Sequence, residues 1–290
     1  MSKIEEALRL AKEQNIKSIH DGRGRTVGHS TLIEAQADFS EKTTLRGSRK
    51  LTESEGPIRP PAIYQLQPAN HYELDQKVLE RNRIINDKFP EAAMTSYKML
   101  RTRVMQKMFS NDWKIIAVTS PLDGAGKTVT ATNLAITAAS QGAHDVYLLD
   151  LDLRNPGIAS CLGLPADGPD LSQYLAGSAS FSQACCDVGI GRLVVVPASG
   201  TQSNSSELIT SKPMFGLLTN ILSAATGPII ILDLPAVLSA DDVLAISPIV
   251  DGFVVVVSES ETVRGDVSRT MDMLHDANVL GVVLNKYYDS

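Results

Sequence analysis

The sequence predicts an α/β fold, doubly wound, with a mainly parallel sheet covered by helices on both faces. Three observations predict it: a series of short β-branched runs, helical patterns in the gaps between them, and a glycine-rich loop where the first run meets the first helix.

The runs are residues 115–118, 146–149, 193–196, 229–232, 253–257 and 279–284. Each is shorter than a helix and almost wholly apolar, so each reads as a strand buried on both faces. Six buried strands are expected. The gaps carry helical spacing at 129–139, 207–222 and 262–275. Such alternation requires right-handed crossovers and a largely parallel sheet. Ligands of these sheets sit beyond the carboxyl ends of the strands.

With 290 residues, 43% hydrophobic and 21% charged, the chain can build one sizeable domain with material to spare. Ile4, Ala7, Leu8 and Ala11 recur at helical spacing, so residues 1–19 read as a short amphipathic helix, more simply a surface helix than a docking element. Residues 20–72, rich in Gly, Ser, Thr, Pro and charge and containing Ile58-Arg59-Pro60-Pro61, have no sustained period and read as a flexible linker. Leu74, Val78 and Leu79 before Pro90, and Tyr97, Leu100, Val104 and Met108 after it, make residues 73–112 a helical lead-in packed on the core. Residues 113–290 form the main domain and end in a tail, Tyr287-Tyr288-Asp289-Ser290.

Several function classes are disfavoured. No apolar run approaches the roughly 18 residues that span a bilayer, and charges occupy the start of the chain, so a cytoplasmic protein is expected. Cys161, Cys185 and Cys186 lack CxxC spacing and suggest neither a disulfide framework nor a zinc site. Residues 1–113 carry net +4 and residues 114–290 net −10. An acidic folded half argues against nucleic acid as a partner, because that binding needs Lys and Arg to replace counterions.

The chemistry starts at Ser120-Pro121-Leu122-Asp123-Gly124-Ala125-Gly126-Lys127-Thr128, between the first strand and the first helix. Gly124 and Gly126 let backbone N–H groups approach phosphate, and the helix N-terminus adds its positive end. Lys127 can reach the β- and γ-phosphates, and Thr128 can ligate Mg²⁺. The expected nucleotide-binding segment is Asp123, Gly124, Ala125, Gly126, Lys127, Thr128 and Val129. Pro121 stands where the strict GxxxxGK[ST] pattern has its first glycine. A plain glycine-rich turn is the alternative, which the strand–loop–helix context disfavours.

Asp150 and Asp152 follow the second run, and their i, i+2 spacing turns both the same way. Paired carboxylates beside a bound nucleotide can hold a metal ion or accept a proton. Asp233 ends the run 229–232 in the form of a Walker B carboxylate. Asn285 ends the last run, where its amide could face a base edge. Asn204 and Glu207 have the spacing of a helix N-cap pair, a structural role.

Taken together, the variant phosphate loop, the paired-Asp element with Arg154, Leu232-Asp233-Leu234-Pro235 followed by Asp241-Asp242, Ser206-Glu207-Leu208-Ile209 and Leu284-Asn285 resemble the bacterial tyrosine kinases of exopolysaccharide export. The likeness runs from about Thr95 to the end and is closest to the cytoplasmic form. It implies ATP as donor, Mg²⁺ held by Thr128, Asp150 and Asp233, Lys127, Asp150 and Asp152 as catalytic residues with Asp150 as base, and Tyr287 or Tyr288 as phosphoacceptor. It further implies a separate membrane-spanning chain-length regulator as partner, a homo-oligomer, and a position at the inner face of the membrane. The chain departs from the family in having only two tail tyrosines, and in Thr95, Lys98 and Arg101 where the family's ring-forming helix has Glu and two Arg. A partitioning-type assembly ATPase and a non-catalytic ATP-binding scaffold are the competing functions.

Overall fold

In the computed structural model the described residues are 67–286, apart from 166, 225 and 260. The expectations for residues 1–19, for nearly all of the linker and for Tyr287 and Tyr288 lie outside them.

Eight strands form one sheet: β1 (Asn70–His71), β2 (Ile115–Thr119), β3 (Val146–Asp150), β4 (Cys186–Asp187), β5 (Leu193–Val196), β6 (Ile229–Asp233), β7 (Gly252–Ser258) and β8 (Val279–Asn285). Their order is β1-β4-β5-β3-β6-β2-β7-β8. All six expected strands are present, and every pairing is parallel except β4 with β5. Successive residues of one strand serve opposite cores: Leu148 and Ile231 pack on one face, Leu149, Ile230 and Leu232 on the other. The pleat sends neighbouring side chains to opposite faces, and both faces are covered, which is why these runs are continuously apolar.

One face is covered by α1 (Gln76–Arg81), α2 (Glu91–Ser110) and α3 (Lys127–Ala139). Asp75 caps α1 by accepting from the Lys77 N–H, and Pro90 occupies the N-cap of α2, so the lead-in divides at Pro90 as expected. Next come α4 (Ile158–Leu162), α5 (Leu171–Leu175), α6 (Phe181–Ala184), α7 (Ser205–Ile209), α8 (Lys212–Leu222), α9 (Asp242–Ile246) and α10 (Arg264–Met273).

Four expectations change. The sheet gains two short strands, β1 and β4, and β1 takes Asn70 and His71 out of the expected linker by pairing with Cys186 and Asp187. Two-residue strands leave no periodicity to read. The helical pattern over 207–222 is two helices, because Ser211 caps the second by accepting from the Met214 N–H and Pro213, which has no N–H, fits its first turn. Asn204 sits at the N-cap of α7 but makes no side-chain cap hydrogen bond, so the proposed N-cap pair with Glu207 is not formed. Finally, β8 is half-buried rather than buried, since it lies at the sheet edge.

Ile231, fully buried in the central strand β6, tests this core. Ile231→Ala is expected to cost roughly 2–5 kcal/mol of unfolding free energy in urea titrations. A loss below about 1 kcal/mol would mean that the position is not close-packed.

Candidate active site

The site forms where β2, β6 and β3 run side by side. Val118 is in register with Asp233, and Asp233 with Asp150, so both carboxylates reach the same end of the sheet without any loop to place them. The phosphate loop leaves β2 at that end. Its start is held by the segment after β6: Thr119 Oγ1 donates to the Pro235 carbonyl at 2.6 Å, and the Val237 N–H donates to the Ser120 carbonyl at 2.8 Å.

Pro121 fits because its position does not use the left-handed backbone that would demand glycine. Its carbonyl accepts from the Leu238 N–H. Gly124 (φ +81°) and Gly126 (φ +89°) do use that region. At Gly126 space is decisive too, since a Cβ would lie 2.1 Å from Asn285 Nδ2. Asn285 donates from Nδ2 to the Ala125 carbonyl at 2.9 Å. Through this bond its amide braces the phosphate loop.

Lys127 opens α3 and is buried, with Nζ 2.5 Å from Asp152 Oδ2. Burial pulls its pKa down, but the charges of Asp233, Asp152 and Asp123 outweigh this and hold it above the ordinary lysine value. Asp152 lies two residues beyond Asp150, past the end of β3, and its other oxygen accepts from the Asn155 N–H. Asp150 Oδ2 accepts from the Gly157 and Ile158 N–H groups at 3.0 and 2.9 Å, while Oδ1 is buried without a partner. Burial, with the neighbouring charge of Asp233, raises the Asp150 pKa well above the usual carboxylate range.

Asp233 is fully buried, and neither of its oxygens has a hydrogen bond of good geometry. Burial pushes its pKa up to about 6; Lys127 and the nearby Thr128 hydroxyl pull the other way without restoring the ordinary value. Two unpartnered carboxylate oxygens in a buried site are costly unless a further cation or proton meets them. The oxygen donors of Thr128, Asp233 and Asp150 are of the hard type that Mg²⁺ takes. No group of three or more His, Cys, Asp or Glu among the described residues is arranged to hold a metal by itself.

Three features were not legible as site components. The Gly157 and Ile158 N–H groups that fix Asp150 come from the turn at Asn155-Pro156-Gly157, whose Asn-Pro-Gly run signals a turn but not its target. Arg154 bridges two acids, donating from Nε to Asp242 at 2.9 Å and from Nη2 to Asp241 at 3.2 Å, which ties the segment after β3 to α9. Lys286 pairs with Glu261 at 2.7 Å, and the same Glu261 oxygen lies 3.9 Å from where a Cβ on Gly124 would stand. The chain therefore leaves β8 at the rim of the phosphate loop, one residue before Tyr287. The three cysteines are free thiols, with Cys185 and Cys186 buried and Cys161 partly so.

A family model described as ParA, NUBPL iron-transfer P-loop NTPase, matches residues 112–289. The chain belongs to this family of ParA-type P-loop NTPases. Among relatives of this P-loop NTPase, tyrosine-protein kinase CpsD of Streptococcus agalactiae is 28% identical over 219 residues, which cover 73% of this chain and 92% of that protein. Succinoglycan biosynthesis transport protein ExoP of Rhizobium meliloti is 29% identical over 214 residues, covering 71% of this chain but 26% of ExoP. The crystal structure of the chimerical protein CapA2B2 superposes with a TM-score of 0.63 at 25% identity, covering 78% of this chain and 96% of that one. The fold class and the resemblance to bacterial tyrosine kinases both hold.

The buried acids make a pH prediction. With the Asp233 pKa raised to about 6 from the ordinary 3.8, the folded chain keeps a proton that the unfolded chain has lost over that interval. Stability therefore falls as pH rises through it. Without nucleotide or Mg²⁺, Asp233→Asn is expected to match wild type near pH 4 and to exceed it at pH 7 by on the order of 2 kcal/mol, read by thermal melting across pH. Equal pH profiles for the two proteins would show that Asp233 is not strained in this way.

Proposed function

We propose that this protein is an ATP-dependent tyrosine autokinase that transfers the γ-phosphate of ATP to Tyr287 or Tyr288 and so regulates exopolysaccharide polymerisation or export. The observation that carries this reading is the relationship to CpsD over nearly its whole length, in a chain that combines a phosphate loop with Asp150, Asp152 and Asp233. The description of the matched family includes iron transfer, but Cys161, Cys185 and Cys186 have no CxxC spacing of the kind that holds a metal cluster.

The loop N–H groups from Asp123 to Val129 cradle the phosphates, and Lys127 turns from Asp152 toward the β- and γ-oxygens. Asp152 thus holds the lysine in place before the nucleotide arrives. With Oδ2 committed to two N–H groups, Asp150 has only Oδ1 to offer. Its raised pKa suits it to accept the tyrosine proton, while Asp233, with both oxygens open, suits the metal together with Thr128. Mg²⁺, when bound, supplies charge neutralisation at the phosphoryl oxygens. The tyrosine oxygen forms the new bond to the γ-phosphorus, the bond from that phosphorus to the β–γ bridging oxygen breaks, and ADP leaves.

The partner proposed is a membrane-spanning chain-length regulator. ExoP supports it, since the matching region is about a quarter of a transport protein. Among the described residues no helix is long and apolar enough to cross a membrane, so a partner of this kind would bring the domain to the inner face of the membrane. A homo-oligomer is part of the same proposal, because a tail leaving one site could serve that of a neighbouring copy.

Incubation with radiolabelled ATP and Mg²⁺, followed by phosphopeptide mapping, tests the proposal. Label is expected on Tyr287 or Tyr288, at least about a hundredfold weaker in Lys127→Ala. The Tyr287→Phe/Tyr288→Phe double variant is expected to hydrolyse ATP without retaining label. Hydrolysis by wild type with no phosphotyrosine anywhere would overturn the kinase reading.

A further inference from the structure

Between α2 and the β7–β8 end of the sheet runs a groove of about 530 Å³. Leu100 and Val104 of α2 line one wall, and Leu280 and Val283 of β8 line the other. Arg103 and Lys107, both exposed, stand on its rim one helical turn apart. Among the described residues no carboxylate lines it and neither cation has an ion pair. This basic rim belongs to a chain whose net charge is −6.

The shape of the occupant follows from the strand. β8 pairs with β7 on one side and, among the described residues, has no strand on the other. A sheet edge presents unpaired backbone N–H and C=O groups, and an extended chain satisfies them where a helix leaves them bare. The alternate side chains of such a strand would enter the apolar groove, and those at its rim would meet Arg103 and Lys107.

We propose that this groove docks an extended, acidic segment of a partner protein, which adds to β8 as a further strand and sets its carboxylates against Arg103 and Lys107. Backbone pairing supplies the affinity, and the two cations select acidic over basic sequences. The site lies apart from the phosphate loop, so occupancy does not require the nucleotide to leave.

A short fluorescein-labelled peptide alternating valine with glutamate tests this on the full chain by fluorescence anisotropy. Saturable binding is expected, weakened at least about tenfold by Arg103→Glu/Lys107→Glu, and lost when alternate backbone amides of the peptide are N-methylated. Unchanged ATP affinity of the double variant shows that it is folded; if that affinity falls, the N-methylated peptide decides the matter on wild type. Equal binding of a valine–lysine counterpart, or of the N-methylated peptide, would overturn the proposal. So would absence of peptide binding together with a concentration-dependent dimer that the double variant disperses, which would make a second copy of this chain the occupant.

Discussion

One cation shares a buried site with three carboxylates. Lys127 can neutralise only part of the charge on Asp150, Asp152 and Asp233, and it is drawn to Asp152, leaving both oxygens of Asp233 without a hydrogen bond. In a low-dielectric interior such a cluster is stable only when protons or a further cation complete it. Much of the surrounding architecture follows from keeping it in place. Register fixes Asp150 beside Asp233, the turn at Gly157 and Ile158 holds one oxygen of Asp150, and Arg154 anchors the intervening segment to Asp241 and Asp242.

The same requirement shapes the phosphate loop. Gly124 and Gly126 are needed for conformation, and Gly126 also for the close approach of Asn285. The last strand is thereby coupled to the loop: Asn285 holds Ala125, and Lys286 holds Glu261 beside Gly124. These two contacts tie the carboxyl end of β8 to the loop.

The fold was legible because fully buried strands leave an unmistakable trace: runs such as 229–232 have no polar residue to hide, and each appears as a strand. The phosphate loop and the acids were legible because chemistry restricts residue type and position at strand ends. Some of what could not be read depended on partners distant in sequence. That Asn285 braces the phosphate loop could not be read, because its bond to Ala125 joins residues 160 positions apart. The role of the Gly157 turn emerged only once Asp150 was placed beneath it. The short strands β1 and β4 carry two residues each, too few for any period, and the division of 207–222 turned on one serine cap and one proline.

The claim on which the account rests is that the unpartnered oxygens of Asp233 are a binding position for a divalent ion shared with the triphosphate. The most direct test is the affinity for a non-hydrolysable ATP analogue, measured calorimetrically with and without Mg²⁺ in wild type and in Asp233→Asn. Mg²⁺ is expected to tighten binding to wild type by at least about tenfold, and the substitution to remove most of this gain. Binding to wild type that is indifferent to Mg²⁺, or an equal gain in the variant, would contradict it.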